Sequence, residues 1–207
     1  MSFILAEKIK MTQLPDEIKG SIPVTVVEAG PMTIAQIKTL ETDGYNAIVC
    51  GFKTRKHVSK PVMAALTKHL GDKAQSFHYL REFEVADPSI YTVGDEIFAD
   101  TFKEGDVIQV QGVTKGKGFQ GVVKRYHFHG ASKTHGTKHA LRQPGSIGDT
   151  GIQRVAKGKR MAGRTGGDTY TMIHVRVARI DRENNLIFLQ GSIPGRQGTL
   201  LKITSNK

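Results

Sequence analysis

A glycine-rich motif at residues 116–121 is the first place where residue types and spacing suggest chemistry. Gly116, Gly118 and Gly121 match the G-x-G-x-x-G pattern that brings backbone amides close to the pyrophosphate of a dinucleotide. However, residues 122–126 look extended rather than helical, and no acid lies about 20 residues further on to hold a ribose. We therefore expect no nucleotide cofactor and no small-molecule substrate at this motif.

The positive charge of the chain is concentrated around the same motif. Residues 115–165, the basic segment, contain twelve Lys and Arg and one acid, a net charge of +11, which equals the formal charge of the whole chain. With ten Gly and few large aliphatic residues, this segment cannot bury enough apolar surface to fold alone. Because strand-rich sequence lies on both sides of it, we interpret it as an anchored insertion, and long insertions of this kind are usually functional.

Four histidines in the basic segment raise the possibility of a metal site. His127 and His129, and His135 and His139, have spacings that can place two imidazoles on one ion. No cysteine lies nearby, Asp149 is the only local carboxylate, and a divalent cation would have to bind among twelve positive charges. We therefore expect no metal, and histidines that stack on bases or donate to phosphate.

The composition of the basic segment favours RNA as its partner. Lys and Arg neutralise phosphates, glycines allow close backbone approach, and aromatic and histidine rings can stack on unpaired bases. Duplex DNA is less favoured because no basic recognition helix is visible. The predicted RNA-binding residues are Lys115, Lys117, Lys124, Arg125, His127, His129, Lys133, His135, Lys138, His139, Arg142, Arg154, Lys157, Lys159, Arg160 and Arg164.

Catalysis, secretion and membrane insertion have little support in the sequence. No serine-histidine-aspartate order with a nucleophile elbow is present, and the acids are scattered, so we predict that the protein is not an enzyme. The single cysteine, Cys50, lies in the apolar run 47–50 and is typical of a small core residue in a reducing compartment. Without a signal-peptide pattern or a membrane-spanning window, we expect a cytoplasmic protein with no membrane partner.

The sequence on both sides of the basic segment predicts a body rich in β-strands. One helix is expected, with Ser59 at its N-cap, Pro61 in its first turn and Gly71 at its end. We predict a single, mainly β domain: a closed or nearly closed barrel from 1–114 and 166–207, a small helical insert at about 53–76, and a long irregular basic extension at 115–165. The predicted strands lie at 22–27, 33–37, 47–50, 77–85, 107–110, 171–177, 186–189 and 200–204.

Long ordered strings in the sequence resemble a known family. They are GVTKGKGFQG at 112–121, KR at 124–125, THG at 134–136, PGSIG at 144–148, KGKRMAG at 157–163, IPVTV at 22–26, DGYNAI at 43–48 and GSIPG at 191–195. With these strings the chain resembles the bacterial form of the ribosomal large-subunit protein three family over nearly its whole length. The residues whose RNA contacts the resemblance carries over are Lys115, Lys117, Lys124, Arg125, His135, Arg142, Lys157, Lys159, Arg160 and Arg164.

The resemblance implies a fold, a role and partners. It implies a translation-factor-like β-barrel and an extension that threads through large-subunit ribosomal RNA toward the peptidyl-transferase centre. It also implies a structural role early in assembly of the large ribosomal subunit, with ribosomal proteins fourteen and nineteen as neighbours. At Asp149, where many bacterial members have a glutamine that can be methylated, the resemblance implies that this modification is absent. Two alternatives stay open: an RNA-acting enzyme that captures its substrate with the basic segment, and a free RNA chaperone.

Overall fold

The computed structural model describes residues 2–16 and 20–205, which are mainly β, as predicted. The helices are α1 (Leu40–Asp43), α2 (Lys60–Leu70) and α3 (Val122–Tyr126). By their contacts the residues divide into a body, residues 1–113 and 169–207, and an arm, residues 114–168. The strands are β1 (Phe3–Asp16), β2 (Gly20–Ala29), β3 (Met32–Lys38), β4 (Ala47–Thr54), β5 (Phe77–Glu84), β6 (Glu96–Ile97), β7 (Val107–Val113), β8 (Phe119–Gln120), β9 (Gly163–Arg164), β10 (Thr169–Asp181), β11 (Leu186–Gln190) and β12 (Leu200–Ser205).

Six strands of the body pair antiparallel in a ring, in the order β1-β12-β7-β10-β11-β2, and so form a closed barrel. Apolar residues at alternate positions, such as Ile108 and Val110 in β7, are fully buried inside the ring. The chain enters the arm after β7 and returns from it into β10, and the register pairs Val113 with Thr169. The two ends of the arm are therefore held by neighbouring strands of one sheet.

A second sheet in the body has the order β5-β4-β3-β6. Helix α2 begins after Ser59, has a proline in its first turn and is capped by Gly71, which confirms the predicted helix, although the Ser59 side chain makes no capping hydrogen bond. Leu66 and Leu70 of α2 form an apolar cluster with Phe77 of β5. The sheet and the barrel share one larger apolar core, which contains the fully buried Cys50, as predicted.

Strand β1 is the main element that the sequence pattern does not predict. Only Phe3 to Ala6 form a continuous buried run, whereas residues 9–13 are exposed and do not alternate. Pairing with β2 on one side and β12 on the other holds this segment extended. One of its two partners, β12, lies at the opposite end of the chain, with Thr204 opposite Phe3, so a local pattern carries little information about this pairing.

Candidate RNA interface

The two ends of the arm are joined by a narrow ladder of backbone hydrogen bonds. Thr114 N donates to Asp168 O at 2.9 Å, Lys117 N to Thr165 O at 2.8 Å, and Thr165 N to Gly118 O at 3.0 Å. The short strands β8 and β9 continue the ladder, with Phe119 opposite Arg164. This ladder fixes the backbone at the base of the arm and leaves Lys115, Lys117 and Arg164 exposed.

Two glycines in the arm lie where no side chain would fit. Gly166 has a φ of +74°, and an added Cβ would lie 2.1 Å from the carbonyl oxygen of Lys115. Gly130, with the same φ, would place a Cβ 2.3 Å from the carbonyl oxygen of Leu141. These close approaches let backbone segments touch inside an arm that has almost no apolar core.

The residues after the glycine-rich motif are helical, so the prediction that they are extended is wrong. Arg125 N donates to Gly121 O at 2.9 Å and His127 N to Val123 O at 3.0 Å, which closes the single turn of α3. The two β-branched valines at 122–123 favour an extended chain, but Val122 is buried and His127 ends the turn in a left-handed conformation. The absence of an acid about 20 residues further on is therefore the remaining feature that disfavours a dinucleotide site at this motif.

The ring of Tyr126 in α3 contacts two arginines of the arm. The guanidinium carbon of Arg125 is 4.9 Å from the centre of the Tyr126 ring, and that of Arg160 is 5.7 Å from it. Arg125 Nη1 also donates to the carbonyl oxygen of Met161 at 2.9 Å, and a Cβ on Gly163 would lie 2.6 Å from that nitrogen. Tyr126 thus orients two predicted RNA-binding residues, which leaves its ring less available to stack on a base.

The predicted RNA-binding residues gather partly around two open recesses of the arm. His127, His129 and Arg160 line a recess of about 510 Å³ together with Phe128. Arg154, Lys157 and Lys159 line another of about 640 Å³, beside the exposed Ile147 and Ile152. Sequence reasoning missed these two isoleucines as candidate contacts, since their only signal is apolar residues within a segment that has no core to bury them.

The other predicted residues are spread along the arm. Lys133, His135, Lys138, His139 and Arg142 occupy an exposed loop, and Lys124 is exposed on α3. All sixteen predicted side chains are exposed except that of Arg125, which is half-buried. In the arm, whose residues are all described, no Lys or Arg forms an ion pair with a carboxylate. The arm therefore presents twelve basic side chains whose charge is not neutralised from within it.

Other groups with possible chemistry lie apart from this interface. Burial raises the pKa of the Cys50 thiol to about 12, so this thiol is not a nucleophile at neutral pH. Lys53, which belongs to a minor basic cluster near α2, forms ion pairs of 2.9 Å with Glu7 and 2.7 Å with Glu28. Among residues 2–16 and 20–205, no three His, Cys, Asp or Glu side chains are placed to hold a metal, and no helix is long and apolar enough to span a membrane.

Comparison with known proteins agrees with the resemblance seen in the sequence. The family described as "Ribosomal protein L3" matches residues 78–185, a span that contains the whole arm. "Large ribosomal subunit protein uL3" of Desulfotalea psychrophila is 46% identical over 98% of this chain and 97% of its own length. The proteins of the same name from Chloroherpeton thalassium and Crocosphaera subtropica are 43% and 44% identical, over 100% and 99% of this chain and 100% and 96% of their own lengths. With a family match over more than half of the chain and relatives this similar along their whole lengths, this protein belongs to the ribosomal protein L3 family.

Proposed function

We propose that this chain is a structural component of the large ribosomal subunit that binds large-subunit ribosomal RNA directly through its arm. The relatives described above are all named large ribosomal subunit proteins. Their family consists of structural rather than catalytic proteins, and its members are located in the ribosome, in the cytoplasm. The observation that carries the proposal is the arm itself, with its exposed and unneutralised basic side chains.

The arm is suited to a folded RNA in both its charge and its shape. Each Lys or Arg that meets a phosphate releases condensed counterions, which supplies affinity without base specificity. The recess that contains Phe128 and two histidines offers ring faces for unstacked bases, whereas the recess beside Lys157 offers several cations for the backbone. The sixteen predicted residues would therefore act together as a grip on RNA rather than as a catalytic centre.

The finer parts of the proposal come from the family resemblance. The six-stranded ring is the counterpart of a translation-factor-like barrel, and the arm extends toward the peptidyl-transferase centre. Ribosomal proteins fourteen and nineteen are the proposed neighbours. Early assembly has a physical reason, since a long arm that ends up surrounded by RNA must bind before that RNA closes around it.

Sedimentation of a variant without most of the arm tests the proposal. Residues 121–162 are replaced by two glycines between Gln120 and Gly163, which face each other at the end of the β8–β9 ladder and so suit a two-residue turn. We expect the wild-type chain in large subunits at one copy each, and the variant in light precursors or free. A triple substitution of exposed body lysines, Lys56→Gln, Lys60→Gln and Lys68→Gln, serves as the control and should sediment like wild type.

The same gradient, together with an assay of the purified chain for RNA turnover, separates the alternatives. A wild-type chain that stays at the top of the gradient contradicts a structural role in the ribosome. A chain found in large subunits at far below one copy each would favour an RNA chaperone. Turnover of RNA by the purified chain would favour an enzyme.

A further inference from the structure

The body contains an acidic stretch that differs sharply from the rest of the chain. Residues 82–106 contain eight Asp and Glu and a single Lys, a net charge of −7 in a chain whose total is +11. A surface with this charge repels phosphate, so this part of the body is unsuited to RNA. A partner of this stretch must therefore have a different chemistry from that of the arm's partner.

Part of the acidic stretch lines an open recess of about 700 Å³ in the body. The buried side of the recess is aromatic: the rings of Phe3 and Phe83 stack with centres 4.4 Å apart, and the Tyr91 ring lies 5.8 Å from Phe3. The exposed Glu84 and Asp87 lie on the solvent side of the same recess. A recess with aromatic rings on its buried side and carboxylates at its edge accommodates an aliphatic or cationic side chain well.

The cations near the recess are already engaged. Lys38 pairs with Glu82 at 2.7 Å, so it neutralises that carboxylate rather than Glu84 or Asp87. Lys202 donates to the carbonyl oxygen of Glu82 at 2.6 Å and lies 4.5 Å from the centre of the Phe83 ring. Glu84 attracts Lys202 electrostatically without forming an ion pair with it, and Asp87 accepts hydrogen bonds from Ser89. Neither carboxylate forms an ion pair with a described Lys or Arg, so both can still pair with an incoming cation.

A strongly exposed aliphatic side chain lies at the same recess. Ile90, at the end of the short helical turn Pro88–Ile90, is 75% exposed, more than any other large hydrophobic side chain of the body among the described residues. Val93 and Phe98 of the same acidic stretch are also exposed. Exposed apolar groups close to a recess are typical of protein interfaces.

We propose that this recess docks a Lys- and Arg-rich segment of another protein, which packs an apolar side chain against Ile90 and places its cations on Glu84 and Asp87. Charge complementarity and the apolar content identify this occupant, because RNA would bring phosphates to the carboxylates. The inference rests on the proposed function, since neighbouring proteins that bind the same RNA need Lys- and Arg-rich segments of their own to neutralise its phosphates.

Photo-crosslinking in assembled subunits tests the docking directly. Ile90 is replaced by p-benzoylphenylalanine, large subunits carrying this chain are purified and irradiated, and the crosslinked segment is identified by mass spectrometry. We expect a Lys- and Arg-rich peptide of another ribosomal protein. The same probe at Ile173, which is 59% exposed on β10, is the control and should not capture that peptide. A crosslink from position 90 to RNA, or no crosslink, overturns the docking and leaves the proposed function intact.

A titration of the isolated full chain decides the question even if the chain does not enter ribosomes. The probe is a peptide with the basic, partly apolar sequence IQRVAKGKRMAGR, taken from residues 152–164. We expect Glu84→Lys to weaken binding at least tenfold and Glu84→Gln to have a smaller effect, while Glu183→Lys, in the turn after β10, has none. An unchanged thermal melt shows that the variants are folded. Equal binding by all four proteins contradicts the docking site.

Discussion

Tyr126 illustrates how single residues give order to an arm that has little core. Its ring contacts the guanidinium groups of Arg125 and Arg160, which come from two separate parts of the arm. Each such contact contributes about 0.5–1 kcal/mol at an exposed site. The two contacts therefore shift the arm, which we expect to be largely disordered when free, toward a preorganised conformation in which two cations are placed to bind phosphate.

Substitution of Tyr126 tests this preorganisation. Tyr126→Leu keeps an apolar side chain but removes both ring contacts, so we expect affinity for ribosomal RNA fragments to fall about fivefold, equivalent to about 1 kcal/mol. Tyr126→Phe keeps the ring and should bind like wild type. Tyr170→Leu, at an exposed tyrosine of β10, is the matched control. If the Phe and Leu variants show the same weakened affinity, the hydroxyl rather than the ring is responsible.

Glu82 makes the stability of the body depend on pH in a defined direction. Its hydrogen bond from Lys38, followed by that from Tyr45, holds the pKa of this carboxyl below its ordinary value of 4.5. A carboxyl whose pKa is lowered by folding stabilises the protein above the unfolded pKa and loses that effect as the pH falls through the folded pKa. The pKa of Lys38 is raised mainly by its hydrogen bond to Glu82, so Lys38 loses its proton, and with it its contribution to the stability of the folded protein, only at strongly alkaline pH.

The pH dependence is checked with Glu82→Gln. We expect this variant to be less stable than wild type from about pH 5 to pH 10, and the difference to shrink steadily below the ordinary carboxyl pKa. Urea unfolding midpoints measured at each pH give the comparison. Glu183→Gln, in the turn after β10, should follow wild type throughout. A difference that persists undiminished at the lowest pH would show that the ion pair is not its cause.

At the scale of elements, the ladder at the base of the arm depends on a glycine turn. Gly166→Ala would force a left-handed conformation, at a cost of roughly 1–2 kcal/mol, and would bring the Cβ against the carbonyl oxygen of Lys115. We expect faster hydrogen exchange at the amides of Lys117 and Thr165, which the ladder protects. Gly151→Ala, with no atom within 4 Å of the added Cβ, is the control. Unchanged exchange in Gly166→Ala would contradict the role of this turn.

The long strand β10 shows how an element can match its prediction and still depart from it in detail. The strand itself is confirmed, but its register shifts between Met172 and Val175, and His174 adopts a φ of +62°. This irregularity leaves Ile173 59% exposed, although simple alternation would bury it with Val175 and Val177. A bulge adds twist to a strand, which a closed barrel needs and a period-two pattern does not reveal.

At the scale of the whole molecule, the charge is divided between parts that suit different partners. The RNA partner of the arm is tested with the triple variant Arg154→Gln, Lys157→Gln and Lys159→Gln, which removes three cations from one arm recess. We expect the slope of log affinity against log salt concentration to become shallower by roughly 2–3, because each phosphate that is no longer neutralised removes about 0.7–0.9 from this slope. The body control, Lys56→Gln, Lys60→Gln and Lys68→Gln, should keep the wild-type slope. Equal slopes for both triple variants would mean that the arm recess does not meet phosphate.

The basic side chains of the arm repel one another, so we also expect the arm to become ordered when it binds RNA. With twelve basic side chains and almost no core, the free arm should be largely disordered and cleaved rapidly between residues 125 and 165. Ribosomal RNA should slow this cleavage, while cleavage of the body stays slow throughout. Equal cleavage of the arm with and without RNA, measured by limited proteolysis, would count against coupled folding.

Features that depend on neighbours along the chain could be predicted from the amino-acid sequence alone. β-branched runs such as Val107 to Val110 predicted strands, Pro61 and Gly71 marked the ends of a helix, and the charge of residues 115–165 identified the candidate RNA-binding segment. Ordered strings such as PGSIG at 144–148 identified the family. These signals are local, because periodicity, capping and charge density are all properties of short windows.

Features that depend on residues distant in the chain could be seen only once the chain was folded in three dimensions. The partners of β1 lie near both ends of the sequence, Lys53 is neutralised by Glu7 and Glu28, and the acidic recess joins Phe3 to Phe83 and Lys202. Even the single turn of α3 depends on the burial of Val122, which outweighs the extended preference of its β-branched side chain. Burial and pairing of this kind arise when the whole chain folds, so no short window contains them.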